Sequence, residues 1–119
     1  MSLAAYQRVR TLAETPRATE HRLISEVTRV VAEAWEGGLR GAALMPPLHR
    51  NREMWSTFAA SCGAAGNALS PELRAGIISL SLWVDRHTSA IMAGTETIEP
   101  LLEVNRLLLD GLSPARPAA

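Results

Sequence analysis

The chain of 119 residues contains a single cysteine, Cys62. One cysteine cannot form an intramolecular disulfide, which excludes a disulfide-stabilised scaffold and favours a reducing compartment. The N-terminus lacks the basic segment followed by an apolar core that is typical of a secretion signal. No uninterrupted apolar run approaches the roughly 20 residues that a membrane-spanning helix needs. These absences together predict a cytoplasmic protein that does not enter a membrane.

Lysine is also absent: all 12 basic residues are arginines, and 12 acidic residues balance them to a formal net charge of zero. Affinity for nucleic acids comes mostly from clustered positive charge, so this balance argues against a protein whose main task is to bind phosphates. A local RNA contact stays open. The only modest basic cluster consists of Arg40, Arg50 and Arg52.

The sequence lacks a convincing β-strand, and its apolar residues recur instead at the three- and four-residue spacing of helices. This spacing predicts helical segments at about residues 2–15, 16–36, 50–62, 71–93 and 98–111. Glycines and prolines make residues 37–48 a predicted loop. The expected fold is all-α, a small compact bundle of four to five helices with no sheet, in one domain over residues 1–112. The tail at 113–119 has nothing to bury and is expected to be disordered.

The fourth segment has a strong start signal, because Ser70 can cap a helix that begins at Pro71. It is apolar on two sides, since Ile78, Leu82 and Trp83 lie outside its main apolar stripe. The favoured interpretation is a central helix that is buried on most of its circumference. The alternative is that one side, including Trp83, forms a groove for a partner.

Asp85, Arg86 and His87 follow one another within this segment and suggest a catalytic group. Side chains two residues apart on a helix diverge by about 160°, so Asp85 and His87 cannot pair directly. We expect structural roles instead. Asp85 would bond to Ser81, Ser89 or a neighbouring helix, and His87 would close an edge of the core. The sequence therefore predicts no catalytic residue and no enzyme.

Metal and cofactor sites have little support in the sequence. His21, His49 and His87 lie on three different segments, and no pair has the spacing of metal ligands. The glycines at positions 37, 38 and 41 lack the following Lys and Ser or Thr of a phosphate-binding loop. Neither a metal nor a cofactor is predicted.

The fifth segment is strongly amphipathic, yet Asn105 falls inside its apolar arc. A buried asparagine must find hydrogen-bond partners or cost about 1–3 kcal/mol. One interpretation is an internal bond to the backbone, Asp85 or Ser79. The other is that Asn105 fixes the register against a partner helix. Leu107 points to the polar side of the same segment and is a candidate exposed contact.

Several separated motifs resemble the bacterial FlaF family of flagellar biosynthesis regulators. The similarity extends from Tyr6 to about Leu112, with Trp55 and Phe58 in one motif and Asp85, Arg86 and His87 in another. The motifs are Met54-Trp55-Ser56-Thr57-Phe58-Ala59-Ala60-Ser61-Cys62, Gly66-Asn67-Ala68-Leu69-Ser70, Leu73-Arg74-Ala75-Gly76-Ile77-Ile78-Ser79-Leu80, Trp83-Val84-Asp85-Arg86-His87-Thr88 and Glu103-Val104-Asn105-Arg106.

The resemblance implies a small, cytoplasmic, non-enzymatic α-helical protein of alphaproteobacteria that supports the production and export of flagellin together with the regulator FlbT. Two mechanisms are open. The protein either binds flagellin directly as a secretion chaperone or controls flagellin synthesis post-transcriptionally, acting with FlbT and directly or indirectly on mRNA. A chaperone needs a groove for a client helix, and Trp83, Asn105 and Leu107 are the candidate contacts. The neutral charge disfavours direct binding of nucleic acid, and no membrane partner is expected.

Overall fold

The computed structural model describes residues 3–5, 16–64 and 69–112 of the chain. Residues 3–5 are helical and are labelled α1. Four longer helices follow, and a short 3₁₀ turn at Gly41–Leu44 lies between the first two of them. The longer helices are α2 (Pro16–Glu36), α3 (Met45–Gly63), α4 (Pro71–Met92) and α5 (Glu99–Leu112). No strand occurs within the described ranges, so the predicted all-α class is confirmed. The remainder of the first predicted segment and the tail at 113–119 lie outside the described residues.

The start and end of α4 follow from the sequence signals. Ser70 is extended and its hydroxyl accepts a hydrogen bond from the Leu73 amide at 3.2 Å. Pro71 suits the first turn, where its missing amide hydrogen would have had no partner within the helix. Gly94 follows the helix with a φ of +79°, a conformation that glycine adopts without strain. The predicted limits of this helix are therefore confirmed.

Replacing the cap should weaken the fold measurably. We expect Ser70→Ala to lower the free energy of unfolding by about 1 kcal/mol, because the Leu73 amide loses its acceptor. Urea denaturation followed by circular dichroism measures the change. Ser79→Ala, at an exposed position inside the same helix, is the matched control and should leave stability unchanged or slightly higher. Equal losses in the two variants would contradict the role of the cap.

The four longer helices form a ring around one core. Helices α2 and α4 each pack against both α3 and α5. The predicted placement of α4 at the centre, buried on most of its circumference, is wrong: Leu82 is 61% exposed and Ile78 is 38% exposed. Ile78 and Leu82 face outward, so α4 is not buried around most of its circumference, although Trp83 packs against the edge of the core. The largest fully buried side chains are Trp55, Ile24, Leu44, Leu48, Ile77, Ile98, Leu101, Val27, Val31, Val84 and Asn51.

The predicted loop at 37–48 is wrong in its second half. Residues Gly41–Leu44 form the 3₁₀ turn, and α3 begins at Met45 instead of near Arg50. Pro46 and Pro47 lie in the first turn of α3, where proline disrupts no helical hydrogen bond. Leu44 and Leu48 are fully buried, so this stretch contributes to the core.

Candidate functional site

The polar motif of α4 is divided between two neighbours. The His87 side chain is buried, its Nε2 atom lies 2.9 Å from the Thr97 carbonyl oxygen, and its ring stacks on Trp83 with centroids 4.5 Å apart. Asp85 is exposed, and its Oδ1 atom lies 3.4 Å from Arg52 Nε on α3, an ion pair that lacks hydrogen-bond geometry. His87 thus closes an edge of the core and Asp85 contacts a neighbouring helix, as the spacing predicts. Arg86 is exposed.

The rest of the described chain offers no arrangement for a metal ion. No group of three or more His, Cys, Asp or Glu side chains is suitably placed among the described residues. His49 instead pairs with Glu53 at 3.0 Å, and Cys62 is buried. The absence of a metal site stays a prediction. Across the same residues, no helix combines the length and the apolar character needed to span a bilayer.

Asn105 lies in the core at 0% exposure, so it cannot contact a partner in this fold. Its Oδ1 atom accepts a hydrogen bond from Trp55 Nε1 at 2.8 Å. Its Nδ2 atom donates to Asn51 Oδ1 at 2.7 Å and to Thr28 Oγ1 at 3.0 Å. The prediction that Asn105 makes internal hydrogen bonds is therefore confirmed, but its expected bonding partners, Asp85 and Ser79, are wrong. The prediction that Asn105 contacts a partner protein is also wrong, because helices α2 and α3 enclose it. Trp55 and Phe58 are buried in the same core.

Two apolar stripes run along neighbouring helices and are covered only in part by the domain. On α4, Gly76, Leu80 and Trp83 occur at i, i+4 and i+7, and none of them is buried. On α5, Pro100, Val104 and Leu107 repeat the same spacing and are also half-buried or exposed, with Leu107 at 62%. Leu107 is exposed as predicted, and Trp83 is half-buried.

The two stripes lie side by side because α4 and α5 run antiparallel. A Cβ atom at Gly111 would lie 3.6 Å from Leu73 Cδ1, and His87 meets Thr97 at the opposite end. These two contacts align α4 with α5, and the helical spacing of the stripe residues then places the stripes beside that line of contact. We call the row formed by Gly76, Leu80, Trp83, Pro100, Val104 and Leu107 the α4–α5 seam.

Charged residues of both signs border the seam, since Arg106 lies between Glu103 and Asp110 along α5. Glu103 and Asp110 are neighbours of Leu107 on the surface of α5, at i−4 and i+3, and Glu72 precedes Gly76 by one turn on α4. At the other end, Glu99 accepts a hydrogen bond from the Thr97 side chain, which is the main reason that its pKa is lowered. Its own backbone amide and the charge of Arg40 lower the Glu99 pKa further. The Glu99 carboxylate therefore keeps its negative charge at neutral pH.

Sequence reasoning found only part of the seam. Trp83 and Leu107 were predicted as contacts, whereas Gly76, Leu80, Pro100 and Val104 were missed. Their shared i, i+4, i+7 spacing was visible. It did not reveal that the fourth and fifth helices are adjacent and antiparallel.

Two arginines of the predicted basic cluster, Arg40 and Arg52, already interact with other residues of the protein. The Arg40 guanidinium lies 3.4 Å above the Trp35 ring, and its Nη1 atom donates to the carbonyl oxygens of Trp35 and Leu39 at 2.9 and 2.7 Å. Arg52 lies beside Asp85. A cavity of about 410 Å³ separates the Arg40–Trp35 pair from the connection between α4 and α5. Two of the three arginines thus have protein partners.

Comparison with known proteins gives one match. The family model described as flagellar protein FlaF matches residues 2–112 of the 119-residue chain. Searches of curated proteins and of solved structures found no match.

Proposed function

The chain belongs to the FlaF family and so has a flagellum-related role, within which we propose that it binds flagellin in the cytoplasm as an export chaperone. The observation that carries the proposal is the α4–α5 seam, an apolar row that the domain covers only in part. An apolar row shared by two adjacent helices suits an amphipathic helix of a client. The proposal requires no catalytic residue, metal or cofactor.

The seam is favoured over the other exposed apolar residues because its members lie on two adjacent helices. Ile78 and Leu82 lie one turn apart on the outward face of α4 and offer a contact on that single helix. The seam lies between two helices, so an incoming helix would contact both sides at once and bury more apolar area. Trp83 adds a large aromatic side chain of the type that contributes most at interfaces.

The chain offers a matched pair of substitutions to test the proposal. Leu107 and Leu82 are 62% and 61% exposed, but only Leu107 lies in the seam. We expect Leu107→Ser to raise the Kd for purified flagellin at least about tenfold, because the most exposed apolar side chain of the seam is lost. We expect Leu82→Ser to change the Kd by less than about twofold. Isothermal titration calorimetry measures both.

The possible results distinguish whether the protein binds flagellin from where on its surface it does so. If the unaltered protein shows no binding to flagellin at micromolar concentrations, the chaperone function is wrong. If flagellin binds but Leu82→Ser weakens it and Leu107→Ser does not, the seam is the wrong surface. Thermal unfolding of both variants verifies that each remains folded.

A second candidate is post-transcriptional control of flagellin synthesis together with FlbT. The neutral charge and the engaged arginines favour an indirect mechanism, in which FlbT occupies the seam and the protein itself does not touch mRNA. Titrating the same two leucine variants with purified FlbT tests this. A gel-shift assay at low salt tests direct RNA binding, and a complex that dissociates steeply with added salt would contradict the indirect mechanism.

A further inference from the structure

The outward face of α4 carries an apolar stripe of its own. Ala75, Ile78 and Leu82 occur at the i, i+3 and i+7 spacing of a helix–helix contact, and all three are exposed, with Leu82 at 61%. Among the residues that the structure describes, Ile78 and Leu82 are the only large, exposed apolar side chains that lie one turn apart on the same helix. We call Ala75, Ile78 and Leu82 the outward stripe. It shares no residue with the α4–α5 seam.

The charges beside the outward stripe differ in sign between its two ends. On one side, Glu72 precedes the stripe and Arg86 follows it, two heptads apart with Ser79 midway. On the other side the order is reversed, because the basic Arg74 comes first and the acidic Asp85 comes last. These four are all the Asp, Glu and Arg residues of α4. Each side of the stripe therefore has an acidic residue at one end and a basic residue at the other.

The charges on the first side are available for a contact with another chain. Glu72 and Arg86 are both exposed. Neither has an ion-pair partner among the residues that the structure describes. Fourteen residues on a helix span about 21 Å, so the two side chains are too far apart to pair within one chain. An ion pair between them requires two copies.

Helix α3 leaves room on the second side of the stripe. Arg74 Nε donates to the Cys62 carbonyl oxygen at 2.7 Å, and Asp85 pairs with Arg52, so α3 runs antiparallel along this side of α4. The residues that follow Arg52 on the same face of α3 are all small, namely Ser56, Ala59 and Gly63. A second helix can therefore lie against α4 without meeting a large side chain of this face of α3.

We propose that the outward stripe binds the outward stripe of a second copy of this chain, with the two α4 helices antiparallel about a twofold axis. Such an axis brings the start of one stripe beside the end of the other. With Ile78 opposite Leu82 of the second copy, Ser79 lies near the axis and Glu72 meets Arg86 of the second copy. Each of these contacts occurs twice by symmetry.

The charge pattern favours this arrangement over the alternatives. In the same register, Arg74 lies beside Asp85 of the second copy, so all four charges of α4 face a charge of opposite sign. A parallel pair of helices in register would place each charge against its like. The occupant is therefore identified by self-complementarity, and the proposal does not depend on flagellin or on the seam. One helix face is a small interface, so we expect a weak dimer with a Kd on the order of 10–100 µM.

The apolar part of the contact is tested with the two equally exposed leucines. Analytical ultracentrifugation over roughly 5–500 µM should show the unaltered protein passing from monomer to dimer. We expect Leu82→Ser to raise the dimer Kd at least about tenfold and Leu107→Ser, which alters only the seam, to change it by less than about twofold. A protein that stays monomeric over the whole range would overturn the proposal. If Leu82→Ser then weakened binding of flagellin or FlbT, the outward stripe would belong to that partner instead.

A charge exchange tests the antiparallel register. Glu72→Arg and Arg86→Glu should each raise the dimer Kd about fivefold at low salt, because each places like charges opposite one another twice in the dimer. The double variant Glu72→Arg, Arg86→Glu restores opposite charges and should return the Kd to within about twofold of the original. Thermal unfolding verifies that each variant remains folded. A double variant that dimerises no better than the single variants would overturn the register.

Cysteine cross-linking locates the twofold axis directly. In the proposed dimer the two copies of Ser79 are neighbours across the axis, whereas the two copies of Ser89 are about 30 Å apart along the helices. Both serines are exposed on α4, and the native Cys62 is buried. We expect a short bismaleimide to cross-link Ser79→Cys into a covalent dimer and to leave Ser89→Cys and the unaltered protein monomeric. Equal cross-linking of the two cysteine variants, or none at position 79, would overturn the proposed arrangement.

Discussion

Trp55→Ala is expected to lower the free energy of unfolding by at least about 3–5 kcal/mol, the largest single-residue effect on stability that the structure indicates. Trp55 is the largest fully buried side chain, so its removal leaves a cavity in the core between the helices. The substitution also removes the indole N–H that donates to Asn105 Oδ1 at 2.8 Å. Because domains of this size are stable by only about 5–15 kcal/mol, the variant should be marginally folded. Urea denaturation followed by circular dichroism measures the loss.

Trp55→Phe keeps the prediction testable if the alanine variant does not fold. Phenylalanine retains most of the apolar volume and loses the hydrogen-bond donor, so the Asn105 oxygen is left buried without its partner. We expect a smaller loss of about 1–3 kcal/mol. A phenylalanine variant as stable as the unaltered protein would show that the hydrogen bond contributes nothing, and the cavity alone would then account for the alanine variant.

The helices that could be predicted from the sequence are those with local signals at their ends. Ser70 and Pro71 fix the start of α4 through a cap and a constrained φ, both of which depend only on neighbouring residues. The start of α3 was missed because Pro46 and Pro47 resemble a loop when the helix that they begin is not known. The burial of Leu44 depends on how the helices pack, which cannot be predicted from the residues next to it in the sequence.

The sequence predicts only those features of the candidate site that depend on the residue spacing within one helix. The spacing within α5 places Leu107 on the exposed side, and the structure agrees. The spacing within α4 does not show which of its two apolar sides meets the core. The side that carries Leu82 is therefore predicted to be buried, although it faces outward. Asn105 was recognised as a polar residue in an apolar arc, but its partners lie 50 and more residues away along the chain. Contacts of that range follow from helix packing, which the sequence pattern leaves open.

The buried polar network gives α5 a fixed position in the bundle. Asn105 bonds to α2 through Thr28 and to α3 through Asn51 and Trp55, so a shift of α5 by one residue would break all three hydrogen bonds. The opposite side of α5 carries Val104 and Leu107 into the seam. A helix that is locked on its inner side presents its outer side at a defined distance from α4, which a binding groove requires.

Asn105→Leu is expected to lower the free energy of unfolding by about 2–5 kcal/mol, although leucine is similar in size and more apolar. The substitution leaves the Trp55 N–H and the Asn51 oxygen buried without partners, at about 1–3 kcal/mol each.

Adding Asn51→Leu should restore part of this loss, because it removes the orphaned oxygen together with the Asn51 Nδ2 group, which has no hydrogen-bond partner among the described residues. Asn51→Leu alone should cost less than Asn105→Leu, since it takes away one hydrogen bond and one unsatisfied donor at once. Urea denaturation of the two single variants and the double variant gives the coupling energy directly. The network assignment is wrong if the two losses simply add, or if Asn105→Leu stabilises the protein.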